Sequence, residues 1–327
     1  MAKKICRIVL CAMIFVLSFS AEAQQPAKIP RLGYLTAPPF SALTAQHEAF
    51  RQGLRELGYV EGKNIFIEWR SAEAKLDRLP ELAAELVRLK VEVIVTAGPA
   101  PTRAAKGATS TIPVVMAFDS DPVGNGFVAS LARPGGNITG SSTLNPELSG
   151  KRLEILKETV PKLSRVAVFG TSTFPGNGEN LKEVERAAAA LKVKVQYLDV
   201  LSHKDIETAF RAATKERAEA ILFLGSVVYT DKRTQLAELA AKHRLPAIYT
   251  RSDHVEDGGL MSYGSNPNDL YRRAATFVDK ILKGRTPADL PVEQAMKFEF
   301  IVNLKAAKQI GLTIPPNVLV RADKVIK

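Results

Sequence analysis

Cysteine is almost missing from this chain. The 327 residues hold two, Cys6 and Cys11, and both fall within the first 23 positions. Those positions read as a secretory signal peptide: Lys3, Lys4 and Arg7 make a basic start, Ile8 to Ser20 an apolar run, and Ala21-Glu22-Ala23 a small-x-small cleavage pattern. The run is short for a bilayer span, and neither cysteine follows it as a lipid-bearing cysteine would. Cleavage leaves an exported, periplasmic chain that begins at Gln24 and has no cysteine. That excludes structural disulfides, thiolate metal sites and cysteine nucleophiles together.

Histidine is scarce as well. His47, His203, His243 and His254 show no metal-ligand spacing, so no metal is expected. Neither a Gly-x-Ser-x-Gly elbow nor a Gly-x-x-x-x-Gly-Lys-Ser/Thr phosphate loop occurs. Gly124-Asn125-Gly126-Phe127-Val128-Ala129 fits the dinucleotide pattern G-x-G-x-x-G/A. However, Asp119-Ser120-Asp121-Pro122-Val123 separates it from the preceding strand, and export argues against a nicotinamide cofactor. No cofactor is expected and the chain does not read as an enzyme. An exported hydrolase stays as a rival, with only His254 placed to serve it. Beyond the leader no apolar run approaches the ~20 residues of a spanning helix.

What is present is an ordinary globular composition, 46% hydrophobic and 24% charged, long enough for two domains. The net charge is +11, and loss of Lys3, Lys4, Arg7 and Glu22 lowers it to +9. The basic residues are dispersed among acids rather than gathered into an arm, so the reading is a solvated basic surface and no nucleic-acid partner.

Short β-branched runs alternate with helical stretches of 10 to 15 residues along the whole chain. Arg31 to Thr36, Asn64 to Arg70, Val91 to Ala97, Pro113 to Ala117 and Ile138 to Ser142 read as strands of a first lobe. A short helix is expected over Gly124 to Ala132. Arg165 to Phe169, Lys194 to Asp199, Ala220 to Leu224 and Ala247 to Tyr249 repeat the rhythm in a second. Such βαβ units make parallel sheets. The tail, with strand Gly259 to Tyr263, helix Pro267 to Leu282 and strand Phe298 to Asn303, reads as the chain crossing back and then again. Hinges are placed at Thr139 to Pro146, Thr250 to Asn266 and about Gln294 to Asn303. The fold class is therefore α/β, two doubly wound parallel-sheet lobes with three hinge crossovers.

In open α/β sheets ligands bind outside the carboxyl ends of the strands, where helix N-termini favour anions. The candidate ligand contacts in those loops are Thr36, Gly98, Thr102, Asp121 and Val123 on one lobe. On the other they are Ser172, Phe174, Asn177, Ser226 and Arg251. The Gly98 and Val123 backbones are read as N–H donors, Arg251 as a partner for a ligand carboxylate, and Asp119 or Asp121 as acceptors for an ammonium. Phe40, Phe118, Phe174 and Tyr229 lie in or beside the loops and are candidates to stack on a planar ligand.

Several blocks carry a resemblance: Gln52-Gly53-Leu54-Arg55-Glu56-Leu57-Gly58-Tyr59, Asp121-Pro122-Val123-Gly124, Arg133-Pro134-Gly135-Gly136-Asn137-Ile138-Thr139-Gly140, and Gly258-Gly259-Leu260-Met261-Ser262-Tyr263-Gly264. Asn303-Leu304-Lys305-Ala306-Ala307 and Gly311-Leu312-Thr313-Ile314-Pro315-Pro316 complete the set. In this order, over Ile29 to Ile326, the chain is similar to the ABC-transporter substrate-binding family that includes tryptophan- and tyrosine-binding lipoproteins. The resemblance implies a type I periplasmic binding fold with lobe one over residues 29 to 142 plus about 265 to 297, and lobe two over 143 to 264 plus about 298 to 327. It implies a monomer that closes on a small organic ligand and passes it to an ABC permease of the inner membrane; a sensory module feeding a receptor kinase is the alternative.

Members that take aromatic amino acids imply an Asn-Pro-Gly-Glu-like stretch in the first lobe-two loop and an acid after the next strand. Here the first loop reads Thr171-Ser172-Thr173-Phe174-Pro175-Gly176-Asn177 and the second Gly225-Ser226-Val227, with no acid. Aromatic amino acids and carboxylates lacking the amine both stand as ligand classes.

Overall fold

The computed structural model describes residues 29–143, 145–295 and 298–327. The expected signal peptide, residues 1–23, lies outside them. Strand β1 (Arg31–Thr36) leads through a single 3-10 turn to helix α1 (Thr44–Glu56), β2 (Phe66–Ser71), α2 (Leu79–Arg88), β3 (Val93–Ala97), α3 (Pro99–Ala108), β4 (Val114–Asp119) and β5 (Ile138–Ser142). The next run is α4 (Asn145–Thr159), β6 (Arg165–Gly170), α5 (Asn177–Leu191), β7 (Lys194–Asp199), α6 (Asp205–Lys215), β8 (Ala220–Phe223), α7 (Val227–Thr230), α8 (Arg233–Lys242), β9 (Ala247–Tyr249), α9 (Asp253–Glu256) and β10 (Met261–Ser265). Then come α10 (Pro267–Leu282), β11 (Glu293–Gln294), β12 (Phe298–Asn303), α11 (Leu304–Gln309), α12 (Pro316–Leu319) and β13 (Lys324–Ile326).

Two sheets result. The first runs β11-β5-β4-β3-β1-β2 with every pair parallel. The second runs β13-β12-β10-β9-β8-β6-β7 and is parallel except for β10 against β12. The chain passes between the sheets three times: after β5, after β10 and between β11 and β12.

Each sheet is buried on both faces, as parallel sheets require. Leu32, Tyr34, Val93 and Val95 pack with Phe50 of α1 and with Ala274 and Val278 of α10, while the alternate residues Leu35, Ile94 and Val114 pack on Leu82 and Leu86 of α2. In the second sheet Val166, Val168 and Leu222 meet Leu156 of α4 and Val184 of α5; Phe169, Ile221 and Phe223 meet Phe210 of α6 and Leu236 of α8. Each fully buried aliphatic or aromatic side chain contributes about 1.5–3 kcal/mol. The return of the chain to the first sheet is fixed by α10. Asn266 caps it, accepting from the Asn268 and Asp269 N–H groups, Pro267 sits at its first turn, and its apolar stripe Leu270, Tyr271, Ala274, Phe277, Val278 and Ile281 is buried.

The expected helix over Gly124 to Ala132 does not form. Residues 122–126 run as consecutive turns, with Gly126 at φ +70° and the Gly124 N–H held by the Asp121 carboxylate at 2.9 Å. Left-handed Gly126, with Gly124 two residues before it, breaks helical propagation, while Phe127 and Val128 still reach the core. The G-x-G-x-x-A stretch therefore opens no helix and lacks the geometry of a dinucleotide site.

Candidate ligand-binding site

The carboxyl ends of β1, β3, β4 and β5 face those of β6, β8, β9 and β10 across a gap, and the loops that leave them enclose a cavity of about 100 Å³. One water needs roughly 10–15 Å³ by the same measure, so the space takes a small organic molecule. One wall carries Ala37, Gly98, Phe118, Ser120 and Tyr271; the other carries Phe174, Gly225, Ser226, Tyr249 and Arg251. Phe223, Tyr229 and Leu270 add to a lining that is mostly aromatic and aliphatic.

Of the residues expected at the site, the structure brings Gly98, Phe174, Ser226 and Arg251 together there. The others sit elsewhere or are committed. Thr36 is fully buried one residue before the lining Ala37. The Thr102 hydroxyl lies 2.8 Å from that of Thr96 and donates to the Gly98 carbonyl at 2.9 Å, locking the entry to α3. Asp121 caps its own turn, and the Val123 side chain is exposed. Ser172 donates its N–H and hydroxyl to Asp199, tying its loop to the edge strand β7. Asn177 is buried and donates from one amide nitrogen to the Thr171 and Gly225 carbonyls, at 3.0 and 2.8 Å, so it ties together the loops that follow β6 and β8. The Gly98 N–H is spent on the Phe118 carbonyl at 3.2 Å. It is not the donor that its place before a helix suggests.

Of the four loop aromatics, Phe118, Phe174 and Tyr229 line the cavity. Phe40 instead packs against His47 and Trp69. Phe174 lies over Gly225, where a Cβ would stand 3.1 Å from its ring; glycine keeps that space open. Sequence reasoning missed Tyr271, because an aromatic at helical period reads as core, and Tyr249, because it ends a buried three-residue strand.

Electrostatics are set by one cluster. Arg251 donates from Nε to the Asp253 carboxylate at 3.2 Å and from Nη2 to its other oxygen. Burial works against the Arg251 charge, but Asp253 beside it raises its pKa. Burial likewise opposes ionisation of Asp253, yet Arg251 and His254 hold its carboxyl well below the usual range. His254 lies 3.2 Å from Asp253 and stacks on Tyr249, which stacks on Phe223. Burial pushes its pKa down, so the ring is neutral near pH 7. Among the described residues no serine or threonine hydroxyl is hydrogen-bonded to the His254 ring, so the arrangement lacks a triad's nucleophile. Ser120, Tyr249 and Ser265 line the cavity and carry buried hydroxyls with no partner among the protein atoms.

The model of the ABC transporter substrate binding protein family matches residues 40–326. The chain belongs to that family. The tyrosine-binding protein of Clostridioides difficile (strain R20291) is 24% identical over 272 residues, which cover 83% of this chain and 78% of that protein. A conserved domain protein from Vibrio cholerae O1 biovar El Tor superposes with TM-score 0.86 at 26% identity, covering 91% of this chain and all 100% of that one. The ABC domain from Streptococcus pneumoniae in complex with L-Trp gives 0.84 at 25%, covering 91% and 99%. The structural neighbours of this substrate-binding protein are type I periplasmic binding proteins. The family is non-enzymatic, which sets the hydrolase reading aside. Substrate-binding proteins bind small ligands and work with ABC transporters. Among the described residues no helix is long and apolar enough to cross a membrane.

Proposed function

We propose that this substrate-binding protein is the periplasmic receptor of an ABC importer, which holds a small organic ligand with an aromatic part between two lobes and delivers it to an inner-membrane permease as a monomer. Lobe one would comprise residues 29–142 and about 265–297, and lobe two residues 143–264 and about 298–327. The observation that carries this reading is the cavity itself. It lies where the strand carboxyl ends of two sheets face each other, with Phe118 and Tyr271 on one wall and Phe174 and Tyr249 on the other. Two walls on separate sheets joined by three connections make a cleft that a hinge can open and shut. Closure needs a ligand that prefers the closed form, and a ligand contacting both walls has that preference by construction. The relatives named for tyrosine and solved with L-Trp support an aromatic occupant.

The test is a thermal-shift screen of aromatic metabolites followed by small-angle scattering. A compound that raises the melting temperature should also lower the radius of gyration. Stabilisation without compaction would overturn the closure mechanism, and no response from any aromatic compound would overturn the ligand class.

A further inference from the structure

Resting on the reading of the cavity as the ligand site, we infer that the substrate is an aromatic monocarboxylate without an ammonium group, rather than an amino acid. The argument is an inventory of charge. Of the residues that line the cavity, Arg251 alone is ionised; no aspartate or glutamate is among them. The carboxylates nearest in sequence, Asp119, Asp121 and Asp253, all lie outside the lining. Asp253 gives both oxygens to Arg251 and one also to His254, and it lines a separate polar cleft with Arg233 and Asp257. Asp119 accepts the Asp121 N–H at 2.9 Å and the Asn125 amide at 2.8 Å on Oδ1, while its Oδ2 is buried without a partner among the protein atoms and Asp119 does not reach the lining. Asp121 holds the Gly124 N–H. A ligand ammonium would thus be buried without an anionic partner, whose loss is the most costly way to break a buried pair.

An anion is served differently. Helix α3 points its N-terminus at the cavity but is poor in donors: Pro99 and Pro101 have no N–H, and the Gly98 and Thr102 N–H groups are bonded to Phe118 and Gly98 carbonyls. The anion site therefore falls to Arg251. Asp253 occupies its Nε and Nη2 and fixes the plane of the guanidinium, leaving Nη1 for the ligand. One open guanidinium nitrogen suits one carboxylate and not two. The rings of Phe118, Phe174, Tyr229 and Tyr271 suit a planar body, and the partnerless hydroxyls of Ser120, Tyr249 and Ser265 suit a ring hydroxyl.

The experiment is titration calorimetry of the purified protein, freed of carried ligand, against 3-(4-hydroxyphenyl)propionate, its carboxamide, L-tyrosine and tyramine, with the indole series in parallel. The carboxylates should bind at least about a hundredfold more tightly than the matched amino acids, and the carboxamides should lose about tenfold or more. Arg251→Gln should erase the preference of carboxylate over carboxamide, with Arg251→Lys as the milder variant if the first fails to fold. Amino acids or amines binding as tightly as the carboxylates would overturn the inference while leaving the cavity as the ligand site. Silence from every compound would overturn both readings.

Discussion

Ser120 and Gly176 meet across the gap between the two sheets. A Cβ added to Gly176 would lie 2.8 Å from the Ser120 hydroxyl oxygen, and Gly176 holds φ at +85°, a left-handed conformation that side chains resist. Gly176→Ala should therefore act on this contact through both strain and collision. Ligand affinity should fall by about tenfold or more, in line with ~1–2 kcal/mol of strain. Calorimetry with the best ligand checks it, and unchanged affinity would show that the two loops do not need to touch in the bound state.

Asn177 joins the loops after β6 and β8 through the Thr171 and Gly225 carbonyls. Asn177→Ala removes both bonds, taking the side-chain donor from the Gly225 carbonyl while Thr171 keeps the Phe174 N–H, and should cost about 1–3 kcal/mol. The melting temperature should drop by several degrees, at about 2–4 °C per kcal/mol for a chain of this size. Because Phe174 and Gly225 both belong to those loops, affinity should fall with stability. A drop in melting temperature alone would assign Asn177 to the scaffold only.

Asp119 makes stability depend on pH. Its carboxyl is fully buried and its pKa is pushed up to about 7 by burial, against an ordinary value near 3.8. The folded form binds the proton more tightly than the unfolded chain, so this contribution is full below the unfolded pKa and is lost as pH rises through about 7. Asp119→Asn keeps an acceptor for the Asp121 N–H and the Asn125 amide but cannot ionise. Chemical denaturation at pH 5 and pH 8 should show the variant gaining on the wild type as pH rises. His47, whose pKa is pulled down to about 4 by burial, opposes this trend in both proteins and cancels in the comparison. Parallel pH curves for the two proteins would mean that Asp119 is already ionised when folded.

The architecture was legible because period-2 strands and period-3.6 helices alternate with few interruptions, and because α10 announces itself through Asn266, Pro267 and an unbroken apolar stripe. The turn region at Gly124 to Gly126 was not legible. Apolar Phe127, Val128 and Leu131 mimic a helical face, and only the backbone geometry of Gly126 decides otherwise. Of the residues read from loop position, Phe174, Ser226 and Arg251 line the cavity. Thr102, Ser172 and Asn177 do not line it, since a polar residue after a strand bonds to local backbone or to a neighbouring strand as readily as it faces a cleft. Tyr271 lies 235 residues after the end of β1 and depends on a chain crossing that brings its helix to the same wall, and no local pattern encodes that.

Arg233 provides a test of the resting state. Its Nη1 donates to the Ala42 carbonyl, in the segment after β1 of the first sheet, at 3.2 Å and to the Thr230 carbonyl, after β8 of the second, at 2.6 Å, while Nε donates to Asp257 at 2.6 Å. A lysine cannot hold all three with one point charge, so Arg233→Lys should give up the reach to Ala42 first. One hydrogen bond is worth about 0.5–1.5 kcal/mol net, enough to shift a closed-to-open ratio by about two- to tenfold. Small-angle scattering of the ligand-free protein should show a larger radius of gyration for the variant, and saturating ligand should restore the compact value. Asp257→Asn is the control, because it weakens a contact within one lobe and should leave the radius unchanged. Equal radii for Arg233→Lys and the wild type, both without ligand, would show that the Ala42 contact does not set the resting ratio.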